Sequence, residues 1–284
     1  MKNILVPVDF SDVSDNALNF AIKIAQTVKS KITLFHTVSP VLLVNEVGGY
    51  TYPDVHEEEI DLEVDRKING LLDYINNHEV ASDKIIRKGV LLEEEVKTLV
   101  EEFNIDLIVT GTNGAKGLDA FFFGTNSVNI FEKVKCSVLI VPIAANYHGI
   151  KKIMYATDFQ YGDIHEIDKI CKLAELLNAQ IIVTHINSDA QNAAKEEELM
   201  DWFAEIGDTN IAYKNIVYKL IYNQNVEAAL DNAITVLDVD VLCISTVEKN
   251  FFKKLISTSA IKNMAFHSKI SLLSLHLNAD NKLN

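Results

Sequence analysis

The chain has 284 residues and a formal net charge of −14, with 26 Lys and Arg against 40 Asp and Glu. That balance repels nucleic acid and anionic membrane surfaces, and any nucleotide site needs a local array of donors. A hydrophobic content of 48% excludes a disordered chain, and no apolar run reaches the ~18 residues of a membrane span.

In chain order, Met1-Lys2-Asn3-Ile4 enters a strand directly, so no leader segment is expected. Ile4–Val8 is a short buried-strand run. Ser11 can cap a helix in which Val13, Ala17, Phe20, Ala21, Ile24 and Val28 recur at helical spacing. Ile32–Val38 is a second strand. A polar connection with Gly48-Gly49-Tyr50 and a charged helix to about Asn77 lead to a third strand, Lys84–Val90. Val96, Leu99, Val100 and Phe103 mark another helix. Leu107–Thr110 is a fourth strand, Val128–Val134 a helix, and Val138–Val141 a fifth strand.

The remainder repeats this plan. Asn3–Phe10 matches Lys152–Phe159, and Ile32–His36 matches Ile181–His185, both at an offset of 149 residues. Ile105–Val109 matches Val239–Cys243, and Val138–Val141 matches Ser271–Ser274. The spacing therefore predicts two units, 1–145 and 150–277. Helices are expected at about Ile167–Leu177, Ala190–Ile206, Val226–Leu237 and Ser259–Phe266, around strands Ile181–His185, Ile216–Ile221, Val241–Ser245 and Ser271–Leu275. Strict alternation with near-continuous apolar strands predicts an α/β class, with two tandem Rossmann-like five-stranded parallel sheets covered by helices on both faces.

Ligands of open parallel sheets bind beyond the carboxyl ends of the strands. Asp9, Thr37, Val38 and Gly111 are expected just past three such ends. The motif Gly111-Thr112-Asn113-Gly114, followed after nine residues by Gly124-Thr125-Asn126-Ser127, reads in two ways. Glycines let backbone amides approach phosphate, and Gly124–Ser127 precedes a helix N-terminus. The same glycines also suit tight turns, with Thr125 a plain N-cap. Asp9 is an acceptor-only group suited to ribose hydroxyls or an adenine amino group. No GxxxxGK[ST] is present, and no GxGxxG follows the first strand.

Val6-Pro7-Val8-Asp9, the Asp106-Leu-Ile-Val strand and then Gly-x2-Gly-x9-Gly-Thr resemble the universal stress protein family. The resemblance is close in the first unit and looser in the second. It implies a cytoplasmic stress-response regulatory module binding ATP, or ADP or AMP, with Mg held through the phosphates. It places Asp9 and Thr37 at the adenosine end. It assigns Gly111, Asn113, Gly114, Gly124, Thr125, Asn126 and Ser127 to ribose and phosphates, with Pro7, Val38 and Thr110 completing the set. Asn126 departs from the valine common at that position. The family further implies pairing of two units through their fifth strands, here Val138–Val141 with Leu272–Leu275 inside one chain, an intramolecular pseudo-dimer. Further homodimerisation and an unidentified protein partner stay open.

The second unit carries Ser245 for Gly111, Glu248 for Gly114, Ser257-Thr258 for Gly124-Thr125 and Ala260 for Ser127, so no triphosphate site is expected there. Because the frame persists without glycine, Gly111 and Gly114 read as ligand residues rather than turn residues. No catalytic or metal residues are assigned: HExxH and a nucleophile elbow are missing, and Asp119 is the only carboxylate in the nine-residue spacer. At most, slow Mg-dependent ATP hydrolysis is the rival reading, and a nucleotide-free scaffold the third. His36 and His185 read as packing or hydrogen-bonding residues, and Asp163, His165 and Glu166 as a solvated helix start. Phe121–Phe123 can pack under the loop or form an exposed patch that recruits a partner; for them and Phe251-Phe252, packing or inter-unit contact is the favoured reading. Cys136, Cys171 and Cys243, scattered and odd in number, read as inert thiols of a reducing cytosol.

Overall fold

Apolar runs bounded by polar residues form the strands of a single ten-stranded sheet. The structure is a computed structural model that describes residues 1–38, 43–44, 50–51, 57–89, 91–112, 130, 134–157, 159, 163–188, 193–245 and 270–275. In the first half, β1 (Asn3–Pro7) is central. It pairs in parallel with β2 (Lys31–Val38) on one side and β6 (Leu107–Thr112) on the other. Beyond these lie β5 (Ser82–Lys88) and β7 (Ser137–Pro142), also parallel. The short strands β3 (Leu43–Val44) and β4 (Tyr50–Thr51) form a separate antiparallel pair.

The second half has the same arrangement. β8 (Lys152–Ala156) sits between β9 (Gln180–Asn187) and β11 (Val241–Ser245), flanked by β10 (Ile216–Tyr222) and β12 (Ser271–Leu275). The two halves meet at an antiparallel pairing of β12 with β7, with Leu272 opposite Ile140, Leu273 opposite Leu139 and Ser274 opposite Val138. The full order is β10-β9-β8-β11-β12-β7-β6-β1-β2-β5.

Successive strand residues face opposite sides, so each strand feeds two cores. Ile4 and Val6 join one core with residues of α1 (Asp12–Val28), α2 (Glu57–Asn77), α4 (Asp163–Leu177) and α5 (Ala193–Asn210). Leu5 joins the other, with residues of α3 (Leu92–Glu102) and α6 (Val226–Leu237). Helices thus cover both faces of a mostly parallel sheet, as the alternation predicted. The Ser11 hydroxyl caps α1 by accepting from the Ser14 amide at 3.3 Å, and Lys29 ends the helix in the left-handed region at φ 56°.

Two expectations change. β6 continues through Gly111 and Thr112, paired with Val141 and Pro142 of β7, so Gly111 is a strand residue and not the start of the loop. The connection after β2, read as polar linker, contains the β3–β4 pair, because two-residue strands are too short to show a period. Of the predicted helix Val128–Val134, Ile130 is helical and Val134 lies beyond its end; residues 128, 129 and 131–133 are outside the described residues, as is the whole of Ser259–Phe266.

Candidate functional site

At the carboxyl end of β1 the chain turns sharply. Phe10 sits at φ 62°, a conformation that is uncommon for a residue with a Cβ. The turn is held from both sides. The Asp9 carboxylate accepts from the Ser11 hydroxyl at 2.5 Å and its amide at 3.1 Å. His36 Nδ1 lies 2.7 Å from the Val8 carbonyl oxygen, and the Phe10 ring packs on the His36 ring with centroids 4.6 Å apart. The Lys67 ammonium stands 5.4 Å from the Phe10 centroid. Burial opposes ionisation of Asp9, but the Ser11 hydrogen bonds outweigh it, and the carboxyl titrates below its ordinary value. Asp9 is therefore a fixed, acceptor-only anion at neutral pH.

These residues border a cleft of about 140 Å³ lined by Pro7, Val8, Asp9, Ser11, Val13, Ser14, His36, Thr37, Leu92, Thr110 and Gly111. Five predicted site residues, Pro7, Asp9, Thr37, Thr110 and Gly111, converge on it. Val38 lies one residue further along β2, opposite Lys88, and is not among the lining residues. Asn113, Gly114, Gly124, Thr125, Asn126 and Ser127 lie outside the described residues, as do Phe121–Phe123, Phe251-Phe252 and Glu248. Sequence reasoning did not assign Val8, Ser11 or His36 to the cleft, and it also missed Val13, Ser14 and Leu92 as lining residues. These last three come from the first turns of α1 and α3, and the placement of a strand-end cleft under helix N-termini was the available signal.

Gly111 has a structural role that the sequence concealed. A Cβ built on it would stand 2.4 Å from the Val13 carbonyl oxygen, 2.6 Å from Val13 Cγ1 and 2.9 Å from the Val13 carbonyl carbon. The absent side chain lets α1 lie against β6, so the reading of Gly111 as a ligand residue alone is corrected.

The second half keeps the frame of the turn. Phe159 sits at φ 61°, its ring is 4.2 Å from that of His185, and His185 Nδ1 lies 2.8 Å from the Thr157 carbonyl oxygen. This is the hydrogen-bonding role expected of His36 and His185. His185 Nε2 additionally lies 3.3 Å from a Glu196 carboxylate oxygen.

The chemistry under the second turn differs, and here the expected solvated helix start is corrected. Asp163 and Glu166 are buried, at 3% and 1% exposure, while His165 is exposed. Asp163 accepts from the Tyr155 hydroxyl at 2.7 Å and from the Thr157 hydroxyl. Burial, then Asp163, pushes the Tyr155 phenol well above its ordinary range. Among the described residues, no group of three or more His, Cys, Asp and Glu side chains could hold a metal ion. The three cysteines are buried, and burial pushes Cys136 and Cys171 up to about 12 and Cys243 well above its ordinary value, which makes them poor nucleophiles. No helix among the described residues is long and apolar enough to cross a membrane.

Comparison with known proteins gives consistent likenesses. The model of the Universal stress protein family matches residues 1–142. Universal stress protein YxiE of Bacillus subtilis (strain 168) is 29% identical over 151 residues, covering 49% of this chain and 98% of that protein. Putative universal stress protein SAUSA300_1656 of Staphylococcus aureus (strain USA300) is 28% identical over 147 residues, 49% of this chain and 83% of its own length. The solved structure of a universal stress protein from Archaeoglobus fulgidus DSM 4304 covers 96% of this chain and 98% of that one, with a TM-score of 0.71 and 14% identity, a likeness of fold.

Proposed function

The chain belongs to the universal stress protein family, and on that premise we propose that its first half holds an adenine nucleotide, making it a cytoplasmic stress-response regulatory module rather than an enzyme. The observation that carries this reading is the cleft at the ends of β1, β2 and β6, bordered by the fixed anion of Asp9 and by Thr37 and Thr110. An acceptor-only carboxylate beside hydroxyls fits the amino and hydroxyl groups of adenosine. Asn113, Gly114, Gly124, Thr125, Asn126 and Ser127 are the proposed phosphate residues, and Mg would be carried by the phosphates. In this reading the domains are 1–145 and 150–277, and only the first carries the site.

The test is thermal unfolding with ATP, ADP and AMP in turn. A nucleotide at ~100 times its Kd adds ~2.7 kcal/mol of stability, and Asp9→Asn is expected to remove most of that gain while leaving the unliganded chain folded. If none of the three nucleotides moves the midpoint, the binding reading fails and a nucleotide-free scaffold takes its place. Robust ATP turnover that Gly114→Asp abolishes would instead make the chain an ATPase.

We further propose that the two halves act as an intramolecular pseudo-dimer, a reading supported by the buried pair Leu139 and Leu273 at the β7–β12 junction. Unfolding should then be one cooperative event. Trp202, the single tryptophan, reports on the second half, and its fluorescence transition should coincide with the loss of helical circular dichroism from the whole chain. Two separated transitions would refute the pseudo-dimer.

A further inference from the structure

The ten-stranded sheet ends in two edge strands, β5 and β10, and they are built differently. Ser82 of β5 pairs with Ile32 as Ile216 of β10 pairs with Ile181, so the two edges align residue for residue. On β5 the aligned residues are Asp83, Lys84, Arg87 and Lys88, engaged with Lys31, Asp65, Glu95 and Asp61 respectively. Charged edges of this kind discourage another chain from pairing. On β10 the same four positions are Val217, Tyr218, Ile221 and Tyr222, and Lys219 is the only charged residue in the strand.

The outer side of β10 is the side that β9 leaves unused. The Asn215 carbonyl accepts from the Ile181 amide, and the Asn223 amide donates to the Asn187 carbonyl. In a parallel ladder with this phase, the odd residues bond inward to β9. The amides of Ile216, Tyr218 and Leu220 point away from β9.

The charge beside this edge defines what it can accept. Glu197 accepts from the Tyr222 hydroxyl at 3.4 Å, which marks the side of α5 that overhangs β10. Asp201 and Asp208 recur on that side at helical spacing, and both are exposed. Among the described residues, none of these three carboxylates forms an ion pair, whereas Asp61 and Asp65 of α2 pair with Lys88 and Lys84 at the other edge. Lys214 is held by the carbonyl oxygens of Asp208 and Ile211 at the end of α5. Lys219 is on the opposite face of the strand.

We propose that the outer edge of β10 is a docking strand for an extended, basic segment of a partner protein, which adds to the sheet through its backbone and meets Glu197, Asp201 and Asp208 with lysines or arginines. β-Strand addition of this kind takes its affinity from main-chain hydrogen bonds and its specificity from alternate side chains. A second copy of this chain is the poorer occupant. Two-fold pairing of β10 with itself would bring two acidic α5 stripes together, in a chain of net charge −14.

The experiment uses the full chain and fluorescein-labelled synthetic peptides, read by fluorescence anisotropy. The probes are a peptide alternating lysine with valine, its glutamate–valine counterpart, and the lysine–valine peptide N-methylated at alternate amides. Saturable one-to-one binding of the first alone is expected. Tyr222→Lys, which copies the Lys88 guard, and Asp201→Lys should each weaken it at least tenfold, with melting curves confirming that both variants fold. Absence of binding, equal binding of the glutamate peptide or the N-methylated peptide, or full binding by Tyr222→Lys would each overturn the proposal. So would self-association of the chain in sedimentation velocity that Tyr222→Lys dissolves, which would assign the edge to a second copy.

Discussion

Gly111→Ala is expected to destabilise the unliganded chain by about 2–3 kcal/mol, the upper part of the ~1–3 kcal/mol usual for overpacking a filled site. For a protein of this size that lowers the melting midpoint by about 4–10 °C. The new methyl group would stand 2.4 Å from the Val13 carbonyl oxygen, and a backbone atom cannot rotate out of the way as a side-chain tip can. Relief requires α1 to move off β6, which disturbs the packing of Ala17, Leu18 and Ala21, all at or near 0% exposure. The repeat suggests a compensating change. Val13 and Gly111 correspond in the sequence to Gly162 and Ser245, so the small residue stands at the other position of the pair. Val13→Gly with Gly111→Ser should therefore lose less than the sum of the two single changes, by about 0.5–3 kcal/mol, the usual range of coupling between touching residues. Urea midpoints without nucleotide measure both effects. If Gly111→Ala leaves those midpoints unchanged and only nucleotide affinity falls, the glycine serves the ligand and the packing account is wrong.

The same swap explains what the sequence hid. Ser245 in the second unit suggested that the frame tolerates a side chain at the position of Gly111, but Gly111 is only one partner of its contact with Val13. Strand and helix order was legible because buried parallel strands and amphipathic helices carry different periods, and the offset of 149 residues tied the two turns together. Within the site, Pro7, Asp9, Thr37, Thr110 and Gly111 were legible because strand ends are. Val13, Ser14 and Leu92 were not, since a strand-end cleft lies under helix N-termini but one dimension does not say which first-turn residue faces it. The burial of Asp163 and Glu166 was legible in principle. They align with Ser14 and Ala17, both buried on α1, yet carboxylates in a first helical turn also fit the helix dipole, and that commoner pattern prevailed.

Glu166→Gln is expected to stabilise the chain at pH 8 by about 1–3 kcal/mol, because burying an unpaired charge costs more than burying an unpaired amide, and to change little at pH 4. Glu166 is 1% exposed, and neither carboxylate oxygen has a hydrogen-bond partner. Its nearest cation, Lys169 Nζ, is 3.9 Å away, too far for a hydrogen bond. Burial raises the Glu166 carboxyl above its ordinary value; Lys169 opposes the shift, and Asp163 adds to it. The sign follows from linkage. A carboxyl whose folded value is raised holds its proton more tightly in the folded chain. Its contribution to stability is complete below the unfolded value and is lost as pH rises through the folded value. Glutamine keeps the shape of the protonated form and removes the titration, so the variant's advantage should appear only on the alkaline side of that window. Lys169 would lose its partner, and because its Nζ is itself buried without a hydrogen-bond partner, that loss offsets part of the gain. Burial lowers the Lys169 ammonium below its ordinary value, so its own linkage runs from that lowered value up to the unfolded one. Urea unfolding of both proteins from pH 4 to pH 8 decides the matter. Parallel stability curves would mean that the Glu166 proton is not linked to folding, and that this carboxylate reaches water in solution.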